Sequence, residues 1–593
     1  MDIINLVKNS KTGLFAHQDF AVNYMKDNDN INGIVLAYTM GAGKTRTAKH
    51  ISDLWPERDI IIFAPKALHS SISNEFGNNT NIHYITSNSG QNLKHFKNTI
   101  NIIKKKHDLK DAEDKDISNY ITIVMDEAHL ISSSISNKIL EQDELNPIYR
   151  YIMNLENSKR ILLTGTPMIN KTFELVPLFN FAIGYIDGFD AITMNPIEWN
   201  NFENDEYFEL KLASRINKYI LYFDLPKLPT FRNIKYVKMG SDQEKQHYNA
   251  FLYEKKMNTM GKTQIFNSYT RQICEYANPN LFFGESEVEL PDDKLLTDNE
   301  LIKHGTAMYA IVDDIVNKRP HIKHVIYSEF VRTILIYQRA LELRGYKNLN
   351  EVLRKGHEPA PKDKYFATLT GDESDKIKDK ILKINNASDG GKLIRVVLFT
   401  RTAAQGIDLY SCNVSHLHPQ WTPGLVDQIQ NRISRIGGTQ YLPKELQWTE
   451  HNMYISISNI VKSGDLTVFE SSNRKEERIR RMINILKASS PICPLVFQAE
   501  NEYCRNELKN KRMPKMRSQF NCYHCFIDEH YKMNFSELTY YADILCPNIA
   551  EYEIPKKLNH GVDMETGLVY DEEHEKIITD HKLILEHWDK VIA

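Results

Sequence analysis

Tyr38-Thr39-Met40-Gly41-Ala42-Gly43-Lys44-Thr45 places two glycines just ahead of a lysine and a threonine. Such a loop can hold phosphate, because successive backbone N–H groups turn inward at a helix N-terminus. Glycine is needed where backbone must approach oxygen without a Cβ. Lys44 is expected to pair with the β- and γ-phosphates of ATP, and the Thr45 hydroxyl to ligate Mg²⁺. Tyr38 stands where the usual pattern has its first glycine. Further on, Asp126-Glu127-Ala128-His129 follows the apolar run from Ile121 to Met125. Asp126 is suited to hold Mg²⁺ and Glu127 to polarise an attacking water. Acids after a strand also serve as ordinary caps. The independent Gly-Lys-Thr upstream makes an ATPase site the better reading.

Chemistry of this kind needs strands that end at one edge of a sheet. Gly33-Ile34-Val35-Leu36-Ala37, Asp59-Ile60-Ile61-Ile62-Phe63, Ile121-Thr122-Ile123-Val124-Met125 and Arg160-Ile161-Leu162-Leu163 read as buried parallel strands, nearly apolar throughout. Amphipathic helical stretches alternate with them. Residues 186–300 are richer in Asn, Asp, Tyr and Phe, and read as a mostly helical bridge. A second α/β pattern starts near His324-Val325-Ile326-Tyr327, continues through Ile394-Arg395-Val396-Val397-Leu398-Phe399 and closes near Met453-Tyr454-Ile455-Ser456-Ile457. The expected division is 1–185, 186–300, 301–465 and a charged, mainly helical extension over 466–593.

With these elements in place, the motifs resemble those of superfamily 2 helicases. Asp126-Glu127-Ala128-His129, Thr164-Gly165-Thr166-Pro167 and Gln428-Ile429-Gln430-Asn431-Arg432-Ile433-Ser434-Arg435-Ile436-Gly437 look like motifs II, III and VI. The phosphate loop resembles the Swi/Snf variant, which dispenses with the first glycine. Arg271-Gln272-Ile273-Cys274, the stretch Thr400-Arg401-Thr402-Ala403-Ala404-Gln405-Gly406-Ile407-Asp408-Leu409 and Trp421-Thr422-Pro423 are similar to the same branch. Within it, the chain looks like the group of poxvirus nucleoside triphosphatase I and the early transcription factor small subunit, with relatives in large cytoplasmic DNA viruses and yeast cytoplasmic linear plasmids.

The resemblance implies two tandem RecA-like parallel-sheet domains with ATP in the cleft between them. It assigns Gln18 to the adenine edge, and Met40, Gly41, Ala42, Gly43, Gly406 and Asp408 to the nucleotide. Gln428 would contact the γ-phosphate or the water, and Arg432 and Arg435 would act as arginine fingers. Pro65, Lys66, Ser328, Thr370, Gly371 and Thr400 fall where strand contacts occur, and His129, Thr164 and Thr166 would couple the nucleotide to that track. Ala403-Ala404 departs from the remodeller form, which has two glycines there.

Bulk composition limits the alternatives. With 593 residues, 41% hydrophobic and 25% charged, the chain reads as a soluble multidomain protein with no membrane span. Seven scattered cysteines and no secretory pattern point to a reducing, cytoplasmic setting, with the virion as a second location. A net charge of −3 leaves nucleic-acid binding to local basic clusters. Cys522-Tyr523-His524-Cys525, even with Cys504, His530 or Cys546, has irregular spacing and reads as packed thiols rather than zinc. The basic stretch Lys509, Lys511, Arg512, Lys515 and Arg517 is a phosphate-binding loop or a solvated face. The function expected is an ATP-dependent DNA translocase or helicase serving transcription, with DNA favoured over RNA. Alternatives are an RNA helicase, or an ATP-switched initiation or termination factor binding promoter DNA or polymerase. An RNA polymerase or transcription factor would dock on the extension after 466.

Overall fold

The unbroken apolar runs are strands in the computed structural model, which describes residues 13–491, short internal segments excepted, together with 570–571 and 576–577. Gly33–Tyr38 (β1), Asp59–Ala64 (β2), Ile82–Thr86 (β3), Ile121–Met125 (β4) and Lys159–Thr164 (β5) come first. A small antiparallel hairpin of Tyr185–Ile186 (β6) and Phe189–Asp190 (β7) follows, then Ile220–Phe223 (β8). The first sheet is parallel, in the order β3-β2-β4-β5-β1-β8. Every residue of β1, β2, β4 and β5 is buried, which is why these strands show no polar alternation. Helix Leu175–Ile183 lies so close to β1 that a Cβ on Gly33 would meet the Ala182 carbonyl oxygen at 2.4 Å.

The chain divides into two compact units, one of residues up to Leu225 joined by residues from Glu477, the other Pro226–Glu476. The second unit holds Thr230–Lys238 (β9), His324–Tyr327 (β10), Lys347–Asn348 (β11), Tyr365–Leu369 (β12), Ile394–Phe399 (β13), Val414–Leu417 (β14) and Thr449–Ile457 (β15). They form a parallel sheet in the order β11-β12-β13-β10-β14-β15-β9. Two tandem α/β parallel-sheet units are thus the architecture.

Two expectations about boundaries give way. Residues 186–300 do not form a separate helical bridge. β8 completes the first sheet, while β9 pairs with β15 from Thr230↔Thr449 to Lys238↔Ile457 in the second. Both are edge strands. β9 is only half-buried over most of its length, so it lacks the long apolar run that marks a central strand, and β8 has a run of just four residues, half-buried at its end. The stretch after 466 is not a free extension either. In helix Gly464–Ser489, Leu466 and Phe469 pack with Ile234, Ile455 and Ile457 of the second unit. Ile479, Met482, Ile485 and Leu486 belong to the core of the first, with Val35, Leu162 and Ile220. Spacings of three and four place these four on one helical face.

Candidate nucleotide site

Because the first sheet is parallel, the residues that follow its strands emerge at one edge. The order β4-β5-β1 puts three of them side by side: Asp126-Glu127 after β4, Thr164 at the end of β5, and the phosphate loop after β1. The loop leads into helix Lys44–Ser52. Gly41 and Gly43 have φ of +86° and +77°, a region glycine enters without penalty. A Cβ on Gly43 would also lie 2.1 Å from Gln18 Nε2. Met40 lies outside the described residues.

The missing first glycine has a structural counterpart. Tyr38 is fully buried, and its hydroxyl donates to the His17 carbonyl at 3.3 Å. The Thr39 N–H donates to the Phe223 carbonyl at 3.0 Å, tying the loop to β8. The Ala42 carbonyl then takes His17 Nε2 at 2.8 Å and Gln18 Nε2 at 3.2 Å. His17 stacks on Phe223 with centroids 3.9 Å apart, and burial lowers its imidazole to about 4, leaving it neutral. Gln18 Oε1 accepts from the Phe15 N–H at 3.0 Å. Both ends of the Gln18 amide are therefore engaged with backbone, and in this arrangement it braces the phosphate loop rather than presenting itself to a base. His17 was not singled out in the sequence. Its only signal was adjacency to Gln18.

Lys44 Nζ donates to the Tyr38 carbonyl at 3.1 Å. Burial, then the neighbouring Glu127 charge, push the Asp126 carboxyl up to about 7, and Lys44 opposes the rise. A carboxylate in that state is short of positive charge. Together with the Thr45 hydroxyl it offers the hard oxygen donors that Mg²⁺ takes, so these residues fit the ion. Glu127 has φ of +50°. Its Oε2 lies 3.4 Å from His129 Nδ1, and that same nitrogen lies 2.9 Å from Thr164 Oγ1. Thr164 Oγ1 accepts the Thr166 N–H at 3.1 Å. Motifs II and III are thus in direct contact.

In the second unit, Gln428 is on helix Pro423–Gln430 and Arg432 in the turn after it, and both are buried. Arg432 Nη1 donates to the Ile407 carbonyl at 3.1 Å, and the Leu409 N–H donates to the Arg432 carbonyl at 3.2 Å, which stitches motif VI to the end of the Thr400–Leu409 stretch. The half-buried Asp408 sits between, its carbonyl accepting Asn386 Nδ2 at 2.8 Å. Gly406 and Arg435 lie outside the described residues, as do Cys504, Cys522, Cys525, His530, Cys546 and the basic stretch 509–517.

The strand-contact candidates separate by exposure. Lys66 is exposed after the buried Pro65, Thr370 is half-buried and Gly371 exposed. Ser328 and Thr400 are 1% and 4% exposed. The Ser328 hydroxyl accepts the Phe330 N–H at 3.0 Å, a turn that holds the end of β10, so it offers little to a ligand. Arg271, noted in the sequence only for likeness, is a buried link. It pairs with Glu329 Oε2 at 2.6 Å and faces the Phe330 and Trp421 rings at 5.5 and 5.6 Å.

With this geometry in place, the match to the family model described as the SNF2-related domain, over residues 17–278, takes in the loop, the acids, Thr164-Thr166 and Arg271. The chain is thus similar to an SNF2-related domain over that stretch. It is an ATP hydrolase, and its Gly-Lys-Thr loop and Asp126-Glu127 lie inside the matched stretch. A protein named Termination factor NPH-I homolog, from African swine fever virus (isolate Tick/Malawi/Lil 20-1/1983), is 25% identical over 502 residues, 73% of this chain and 70% of that one. Nucleoside triphosphatase I of Choristoneura fumiferana entomopoxvirus is 23% identical over 599 residues, 87% and 85% of the two chains. Among solved structures, the SWI2/SNF2 ATPase core of Sulfolobus solfataricus in complex with dsDNA matches 74% of this chain and 87% of that one at 19% identity, with a TM-score of 0.27.

Proposed function

We propose that the chain is a DNA-dependent ATPase that moves along DNA during transcription of a cytoplasmic viral or plasmid genome. The observation that carries this reading is the contact path from Glu127 through His129 to Thr164, which joins the hydrolytic acid to a loop of motif III. Lys44 and the loop amides hold the β- and γ-phosphates, while Thr45 and Asp126 would hold Mg²⁺. That ion would supply charge neutralisation on the phosphates. Glu127 orients and deprotonates the attacking water. Gln428, Arg432 and Arg435 stabilise charge on the transferring phosphoryl group.

Lys66, Thr370 and Gly371 remain the candidates for the strand track, with Thr164 and Thr166 reporting the state of the nucleotide to it. The relatives named termination factor and nucleoside triphosphatase support a role beside an RNA polymerase or transcription factor in the cytoplasm. Among the described residues no helix is long and apolar enough to cross a membrane. The test is ATP hydrolysis with no cofactor, single-stranded DNA, duplex DNA and RNA. DNA should stimulate, and the stimulation should fall as salt rises because phosphate contacts release counterions. Stimulation by RNA with DNA inert would replace this reading with an RNA helicase.

A further inference from the structure

From Phe76 to His107 the chain has no Asp or Glu, but five lysines and three histidines, in a protein whose net charge is −3. This segment builds edge strand β3 and helix Asn92–Lys106 of the first unit. The helix buries Phe96, Ile100 and Ile103 and turns Lys94, Asn98, Asn101 and Lys105 outward, all exposed. At 100° per residue these four fall within an arc of about 60°, in a stripe roughly 16 Å long. Helix stability accounts for Lys105, in the last turn where cations are favoured, but not for the N-terminal lysines. No acid occupies the first turn, and Lys94 and Lys97 stand near the positive end of the helix dipole, where cations are disfavoured. Some basic groups nearby have structural work: Lys106 and His107 hold the buried Asp59 at 2.8 Å, and Lys97 lies 5.5 Å from the Tyr151 ring. Lys94 and Lys105 form no ion pair among the described residues.

We propose that this stripe is a second contact surface for the phosphate backbone of duplex DNA, separate from the motor motifs. The proposal rests on the DNA-dependent reading above. Lysines at either end with asparagine amides between them offer donors suited to phosphate and sugar oxygens. Their span matches about five base pairs at 3.4 Å per step. The stripe grips backbone without reading sequence, and adds affinity without touching the ATP site.

The test is binding of a fluorescently labelled 30-base-pair duplex by the full chain across a salt series. The double variant Lys94→Gln/Lys105→Gln should bind several-fold more weakly. Its log–log salt slope should be shallower by about 2, roughly 0.9 per lost contact. Basal ATPase and melting temperature should match wild type, since both side chains are exposed. Lys355→Gln, a loss of charge at an exposed site in the other unit, should leave the slope unchanged. If wild type binds the duplex and the double variant matches it in affinity and slope, the surface is refuted alone. If wild type itself fails to bind, the DNA-dependent reading fails, and this surface with it.

Discussion

A chain cut before Gly464 should fail to fold its first unit, although the cut falls after the last recognisable motor motif. The reason is the return of helix Gly464–Ser489 to that unit's core. Ile479, Met482, Ile485 and Leu486 are between 0% and 6% exposed there. Removing a buried Leu, Ile or Met side chain costs about 2–5 kcal/mol when a cavity is left. Losing all four takes away roughly 8 kcal/mol or more, comparable to the whole stability of a typical domain, about 5–15 kcal/mol. The second unit loses Leu466 and Phe469, and also Asp465, whose carboxylate takes His418 Nδ1 at 2.8 Å and the Ser456 N–H at 3.0 Å. A cut after Pro491 spares every one of these groups. Leu486→Ala gives the graded version, an expected loss of about 3 kcal/mol. Circular dichroism melts and urea titrations of both truncations and of Leu486→Ala measure this directly. A chain ending at Ser463 that melts at the full-length temperature would refute the reasoning, and the helix would then be a peripheral docking element after all.

Glu127→Gln should bind ATP and lose turnover, whereas Lys44→Ala should lose affinity as well; equilibrium binding beside single-turnover hydrolysis separates them. Thr164→Val keeps shape but removes the oxygen that meets His129 Nδ1 and the Thr166 N–H. It should lower the ratio of DNA-stimulated to basal ATPase with little change in ATP affinity, and an unchanged ratio would exclude Thr164 as a coupler. Asp59 concerns stability and pH. Burial pushes its carboxyl up, but hydrogen bonds from His83, Lys106 and His107 outweigh that and hold it at about 2. A depressed folded value stabilises above the unfolded value near 4 and is lost as pH falls through 2. Asp59→Asn should therefore cost about 2 kcal/mol at pH 7 and little near pH 2, read from urea midpoints across pH.

The sequence made central strands and phosphate chemistry legible for one physical reason. A strand buried on both faces must be apolar along its length, and a loop that wraps phosphate must place glycine at fixed offsets. β1 satisfies the first condition throughout and β2, β4, β5, β10 and β13 over most of their length, polar residues falling mainly at their ends, and Gly41 and Gly43 satisfy the second. Edge strand β9 escapes because partial burial leaves no such run, and β8 because its run is only four residues long. The role of Gln18 was hidden differently. An amide can serve a base or a backbone carbonyl equally well, and only the position of Ala42 distinguishes them. Ser328 shows the same ambiguity, since a hydroxyl after a strand suits both a phosphate and a turn. Helix Gly464–Ser489 is highly charged along its exposed face, and that masked the four apolar residues that return to the first core.

On the function proposed, the turn at Glu127 would let one short segment both activate water and signal. A left-handed backbone at a non-glycine residue costs on the order of 1 kcal/mol, so its persistence requires compensation. The surroundings supply it: the Glu127 N–H donates to Asp126 Oδ1 at 3.1 Å, and the Glu127 carbonyl accepts the Leu130 N–H at 2.9 Å to begin the next helix. The turn keeps Asp126 buried beside Lys44 while Glu127 stays half-exposed and within 3.4 Å of His129. Any shift of the Glu127 carboxylate toward an attacking water alters its distance to His129 Nδ1, the same atom that meets Thr164. The Glu127 carboxylate and the Thr164 hydroxyl thus share one nitrogen, through which the proposed hydrolysis would be felt at the Thr164 loop. Replacing His129 with alanine should consequently uncouple DNA stimulation while leaving Glu127 free to act at the basal rate.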